Sequence, residues 1–140
     1  MRPEIHAFFD EATNTVTYLV GDPESRKAAV IDPVLDYDPA AGRISTASAD
    51  AVAAAADRAG LKIVAILETH AHADHLSGAQ RLKELTGAPV AIGAAIGATQ
   101  KLFAPRFDAR DVVADGSAFD RLLNDGDTID LGALKIVAMH

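Results

Sequence analysis

Between positions 70 and 75 the chain reads His-Ala-His-Ala-Asp-His, so His70, His72, Asp74 and His75 place four potential metal donors within six residues. The chain holds five His and no Cys. That composition excludes a disulfide framework and any thiolate site, leaving imidazole nitrogen and carboxylate oxygen as donors. Such donors suit Zn²⁺, Fe²⁺ or Mn²⁺, and ligand type alone does not choose among them. On an extended segment His70 and His72 point to the same side, because side chains alternate with a period of two, and one cation can meet both. Asp74 and His75 fall at the expected start of a helix, face another direction and can hold a second cation close to the first. A helix N-terminus favours an ionised Asp74, available as a ligand or as the catalytic partner of metal-bound water. The alternative, a polar loop without metal, fits one isolated His better than this cluster. His6, in an expected terminal strand, reads as structural or exposed, and Asp32 as either a group behind the ligands or a strand-ending turn former.

Several elements must position this cluster. Ile5 to Phe9 and Thr15 to Val20 read as a hairpin around Asp10 to Asn14, and Ala28 to Ile31 as a third strand ended by Asp32-Pro33. Pro33 to about Thr46, with two prolines and Gly42, reads as a long loop. Ser48 to Ala59 places Ala51, Val52, Ala55, Ala56 and Ala59 at helical spacing, with Asp50 near its start and Gly60 after its end. Ile63 to Leu67 is an unbroken apolar run, the mark of a strand covered on both faces. The histidine cluster follows it directly. A second helix is expected from about Asp74 to Thr86, with Leu76, Ala79, Leu82 and Leu85 as its apolar stripe and Gly87 and Pro89 beyond it. Pro89 to Ile92 reads as a strand and Ala95 to Phe103 as a shorter helix. Leu122-Leu123, Thr128 to Leu131 and Leu134 to Ala138 read as short strands joined by turns. The pattern is mixed α/β, with helices layered on a sheet.

With 140 residues, 49% of them hydrophobic, the chain suits one domain or part of one. Thirteen Lys and Arg against twenty Asp and Glu give a net charge of -7 without a basic cluster, which argues against nucleic acid or anionic membranes as partners. No segment approaches the roughly 20 apolar residues of a membrane span and the N-terminus lacks a signal-peptide run, so the expectation is a cytoplasmic protein. The sequence stops at His140, directly after Ile136-Val137-Ala138-Met139. The expectation is a truncated or cleaved product in which residues 1–140 are the N-terminal part of a single domain. Its open apolar surface could be covered in a homodimer.

His70-Ala71-His72-Ala73-Asp74-His75 resembles the H-x-H-x-D-H signature of the metallo-β-lactamase superfamily. The order of elements is similar to the first half of that family's αββα sandwich. Within the superfamily, Ile31 to Val34, Glu68 to Ala79 and Asn124 to Ile129 resemble the persulfide dioxygenases and their β-lactamase-like hydrolase relatives. That resemblance implies an enzyme with one Fe(II) that oxidises glutathione persulfide with O₂ to sulfite and glutathione, with His70 as an iron ligand and His72, Asp74 and His75 close behind. A glyoxalase II-like reading implies a dinuclear Zn(II) hydrolase of thioesters, with His70 and His72 on one metal and Asp74 and His75 on the other. In both, the substrate is a small-molecule thiol derivative. Family members add a His from a T-P-G-H segment, an Asp and often a last His, none of which this chain contains, so residues 1–140 alone are expected to be inactive. A third reading is a non-catalytic half-domain.

Overall fold

Alternation at the start of the chain produces the expected hairpin, in which β1 (Glu4–Asp10) pairs antiparallel with β2 (Thr15–Gly21) and β2 with β3 (Lys27–Ile31). The computed structural model describes residues 2–140. From β3 the chain crosses through α1 (Ala47–Ala59) to a parallel neighbour, β6 (Lys62–Glu68). It crosses again through α2 (Ala79–Thr86) to β8 (Val90–Gly93), and through α3 (Ile96–Phe103) to β9 (Arg121–Leu123). The resulting six-stranded sheet has the order β1-β2-β3-β6-β8-β9.

Both faces of this sheet are apolar, which explains the unbroken run in β6. Leu19, Ala28, Val30, Ile63, Ile66 and Val90 face Ala49, Val52 and Ala56 of α1 and Ala79 and Leu82 of α2. Ala29, Ala65, Leu67, Ala91 and Leu123 face the opposite way, under the hairpin of β10 (Thr128–Asp130) and β11 (Lys135–Val137) with Ile129 and Leu131. The spacing of Ile63 and Ile66 departs from a period of two because the register with β3 skips Val64 between Ala28 and Ala29. That bulge sends Val64 and Ala65 to the same side. Beyond it alternation resumes, and Glu68 falls on the helix-covered side with Ile66.

Two expectations are corrected. Pro33 to Thr46 is not an irregular loop. It contains β4 (Val34–Asp38) and β5 (Arg43–Ser45), paired antiparallel. Asp38 accepts hydrogen bonds from the Ala40 and Ala41 amides at the turn, 3.0 and 3.1 Å, which lets a polar sequence fold back on itself. The second helix begins at Ala79, not Asp74. Leu76–Ser77 form the short strand β7 against β4, so Leu76 is exposed rather than part of a helical stripe, and Leu85 is exposed too. Gly78 sets this boundary: its amide donates to Pro33 O at 2.7 Å, and a Cβ there would sit 2.6 Å from Val34 O. Both helices end at a glycine with positive φ, Gly60 at 66° and Gly87 at 72°. Among the described residues, no helix is long and apolar enough to cross a membrane.

Candidate metal centre

The cluster occupies the loop between β6 and β7, at the carboxyl ends of the parallel strands β3 and β6, where open α/β sheets place their binding sites. It is not extended. His72 lies at the centre, its ring centroid 4.2 Å from that of His70 and 4.1 Å from that of His75. Potential ligand atoms group as Asp32, His70 and His72 and as His72, Asp74 and His75, each set within 4.8 Å. The division expected from an extended strand and a helix start, His70 with His72 and Asp74 with His75, is therefore replaced by two sets that share His72. Asp74, five residues before α2, owes nothing to a helix dipole.

Carboxylates behind the loop hold it in shape. Asp32 has a left-handed backbone, φ 50°, a conformation Asp tolerates better than most residues. Its carboxylate accepts from the Thr69 amide at 2.7 Å, from Thr69 Oγ1 at 2.6 Å and from His72 Nε2 at 3.0 Å. Glu68, only 6% exposed, accepts from His72 Nε2 at 2.6 Å and from the Ser77 hydroxyl. Of the two roles open to Asp32, the structure shows both: it turns the chain and it braces the site. Glu68 has no counterpart among the expected site residues. The one sequence signal was its place as the last residue of a buried strand, where a carboxylate needs a partner.

These bonds fix which nitrogens present lone pairs. Thr69 Oγ1 gives its only proton to Asp32, so in its 2.8 Å contact with His70 the imidazole Nδ1–H donates and Nε2 is left as the acceptor. His75 Nδ1 must likewise donate to Leu76 O, 2.8 Å away, leaving Nε2 free. His72 Nε2 faces two carboxylates and carries hydrogen, so its ligand atom is Nδ1, which stands 3.3 Å from Asp74 Oδ1. His70 Nε2 is 3.6 Å from the same oxygen. Asp32 is already committed to three donors, so of the two groups His72, Asp74 and His75 keep more lone pairs free, with His70 Nε2 beside Asp74. Imidazole nitrogens and carboxylate oxygens gathered in this way fit a divalent cation.

The charges respond accordingly. Burial works against a charged His72, but the Glu68 and Asp32 carboxylates outweigh it and raise its pKa. Burial also pushes the Glu68 carboxyl up, against the pull of Ser77 and His72. Asp74 goes the other way: its desolvation is outweighed by its own backbone amide and by the His72 and His75 rings beside it, and it stays ionised more readily than a free carboxylate. Of the other histidines, His6 pairs with Glu4 at 2.9 Å on the outer hairpin, as expected of a residue outside the site. His140 lies against Gly93 and Leu123.

Residues 11–140 match the family model of the metallo-β-lactamase superfamily. A probable metallo-hydrolase of Burkholderia pseudomallei is 51% identical over 137 residues, 97% of this chain and 47% of that protein. The human mitochondrial persulfide dioxygenase ETHE1 is 36% identical over 81 residues, 58% of this chain and 28% of its own length. Among solved structures, ETHE1 from Myxococcus xanthus superposes with a TM-score of 0.68 at 26% identity, covering 94% of this chain and 45% of that one. The chain thus spans about half the length of such relatives or less.

Proposed function

Because the chain belongs to the metallo-β-lactamase superfamily, whose members are mostly metal-dependent hydrolases or oxidoreductases, we propose that the protein is an iron persulfide dioxygenase. In this reading it oxidises glutathione persulfide with O₂ to sulfite and glutathione. Similarity to the human and Myxococcus ETHE1 proteins, which runs through the cluster, carries this choice. Bound Fe(II) would supply the redox chemistry that carries electrons from sulfur to O₂. The chain's own residues do the rest. His70 Nε2 would be an iron ligand, oriented by the Thr69 to Asp32 relay. Glu68 and Asp32 hold the His72 ring so that Nδ1 faces inward, and Asp74, kept ionised, offsets cationic charge at the centre.

A dinuclear zinc hydrolase of thioesters is the second reading, favoured by the two donor groups that share His72 and by the Burkholderia metallo-hydrolase. Oxygen uptake separates them. Full-length protein loaded with iron consumes O₂ and forms sulfite from glutathione persulfide if it is a dioxygenase. Thioester cleavage by the zinc form without O₂ uptake replaces that reading with the hydrolase, and neither activity rejects both.

A further inference from the structure

Beside the histidine cluster lies a cavity of about 870 Å³, within the size range of small-molecule sites. His72, Asp74 and His75 form one wall, and the sheet of β5, β4 and β7 forms the floor. In that sheet Leu35 pairs with Leu76 and Tyr37 with Ile44. Leu35 and Tyr37 are two residues apart and share a side, so the four make one apolar face. Asp36 points away from it, accepting from the Ser48 amide at 2.9 Å and hydroxyl at 2.5 Å. Tyr37, Ile44 and Leu76 are 52%, 63% and 46% exposed.

The polar lining is uneven. Asp10 is bonded to the Thr13 amide and hydroxyl, and Asp38 to two turn amides. Arg43, the only Lys or Arg lining the cavity among the described residues, is free by comparison. Its guanidinium lies 3.9 Å from Asp38, makes no hydrogen bond among the described residues and is 79% exposed. An apolar floor between a cluster of metal donors and an exposed guanidinium, only loosely paired with Asp38, matches a molecule with sulfur at one end and a carboxylate at the other.

We infer that this cavity binds the non-reacting part of the substrate, with an apolar stem on Leu35, Tyr37, Ile44 and Leu76 and a carboxylate on Arg43. It extends the substrate class from glutathione persulfide to carboxyalkyl persulfides and thiols, and rests on the reading above that the protein acts on thiol-derived substrates. The test is calorimetric binding of 6-mercaptohexanoate and its neutral analogue 6-mercaptohexan-1-ol to the full-length, metal-loaded protein. The acid is expected to bind about three- to tenfold more tightly than the alcohol, and Arg43→Gln to abolish that difference by weakening only the acid. Ile44→Ser is expected to weaken both about threefold. Circular dichroism establishes that each variant is folded; both positions are exposed and tolerate the change.

Equal affinity for acid and alcohol, an unchanged preference in Arg43→Gln, or no binding of either thiol overturns the inference. If thiol binding is absent and Ile44→Asp turns a dimer into a monomer by light scattering, the face belongs to a second copy of the chain. Oxygen uptake from glutathione persulfide is read separately. Uptake without thiol binding rejects this cavity and keeps the dioxygenase; thiol binding without uptake does the reverse.

Discussion

The helix-covered face of the sheet and the loop at its carboxyl edge are built from opposite materials. On the face, Leu19, Val30, Ile66, Leu82 and Val90 are essentially inaccessible and pack into one apolar cluster. At the edge, three imidazoles and three carboxylates crowd together, and the half-exposed His70 and the buried side chain of His72 are held by hydrogen bonds to Thr69, Asp32 and Glu68 rather than by packing. Apolar contact is non-directional and fixes where the strands end. Hydrogen bonds are directional and fix which nitrogen or oxygen points where. The contrast implies that stability and metal binding can be damaged separately, with Glu68 as the residue where both meet.

The largest loss of stability is expected on the packed face. Leu82→Ala removes a fully buried side chain between α2 and the sheet and should cost about 2–5 kcal/mol in denaturant unfolding. The metal bound per folded chain should not change. Loss of metal without loss of stability would erase the distinction between the two regions.

Glu68→Gln comes next. It keeps the shape and the hydrogen bond to Ser77 but removes the charge facing His72, at an expected cost of about 1–3 kcal/mol. Metal affinity, read by competition with a chelator, should fall about 10- to 100-fold. An unchanged affinity would remove Glu68 from the site and leave it a core residue.

Asp120 offers a smaller, pH-dependent effect away from the cluster. Hydrogen bonds from Lys83 of α2 and from the Val90 amide hold its carboxyl below the usual carboxylate range. A folded-state pKa that is depressed contributes stability above the ordinary value, and that contribution is lost as pH falls through the lowered one. Asp120→Asn should therefore be less stable than the parent at neutral pH, with the gap closing in acid below the ordinary carboxylate range. Thermal melts across that range check it, and a gap that widens in acid contradicts it.

The smallest stability effect belongs to His70→Ala. His70 is exposed and its one internal hydrogen bond is to Thr69, so the metal-free protein should change by no more than about 0.5 kcal/mol. Metal binding should nevertheless be lost.

How much of this was legible in the sequence divides along the same line. Repetition of apolar residues marked β6, α1 and the opening hairpin, because alternation and helical spacing are local properties. The β4–β5 hairpin escaped notice because two prolines, Gly42 and the polar residues around them read as a loop, and the partners of Asp36 and Asp38, Ser48 and the turn amides, become visible only in three dimensions. The early start given to the second helix came from counting Leu76 into its stripe, whereas the close approach of Gly78 to Val34 ends the loop there. Type and spacing singled out His70, His72, Asp74 and His75, residues that the fold gathers in one loop. Their arrangement around His72 was not legible, because Asp32 braces the loop from 40 residues away in sequence.

Elemental analysis of full-length protein, purified without added metal, beside its His70→Ala variant tests the central claim most directly. The account predicts about one iron per chain in the parent and none in the variant, both folded by circular dichroism. Two zinc ions per chain that survive the substitution, or no metal in either protein, would contradict it.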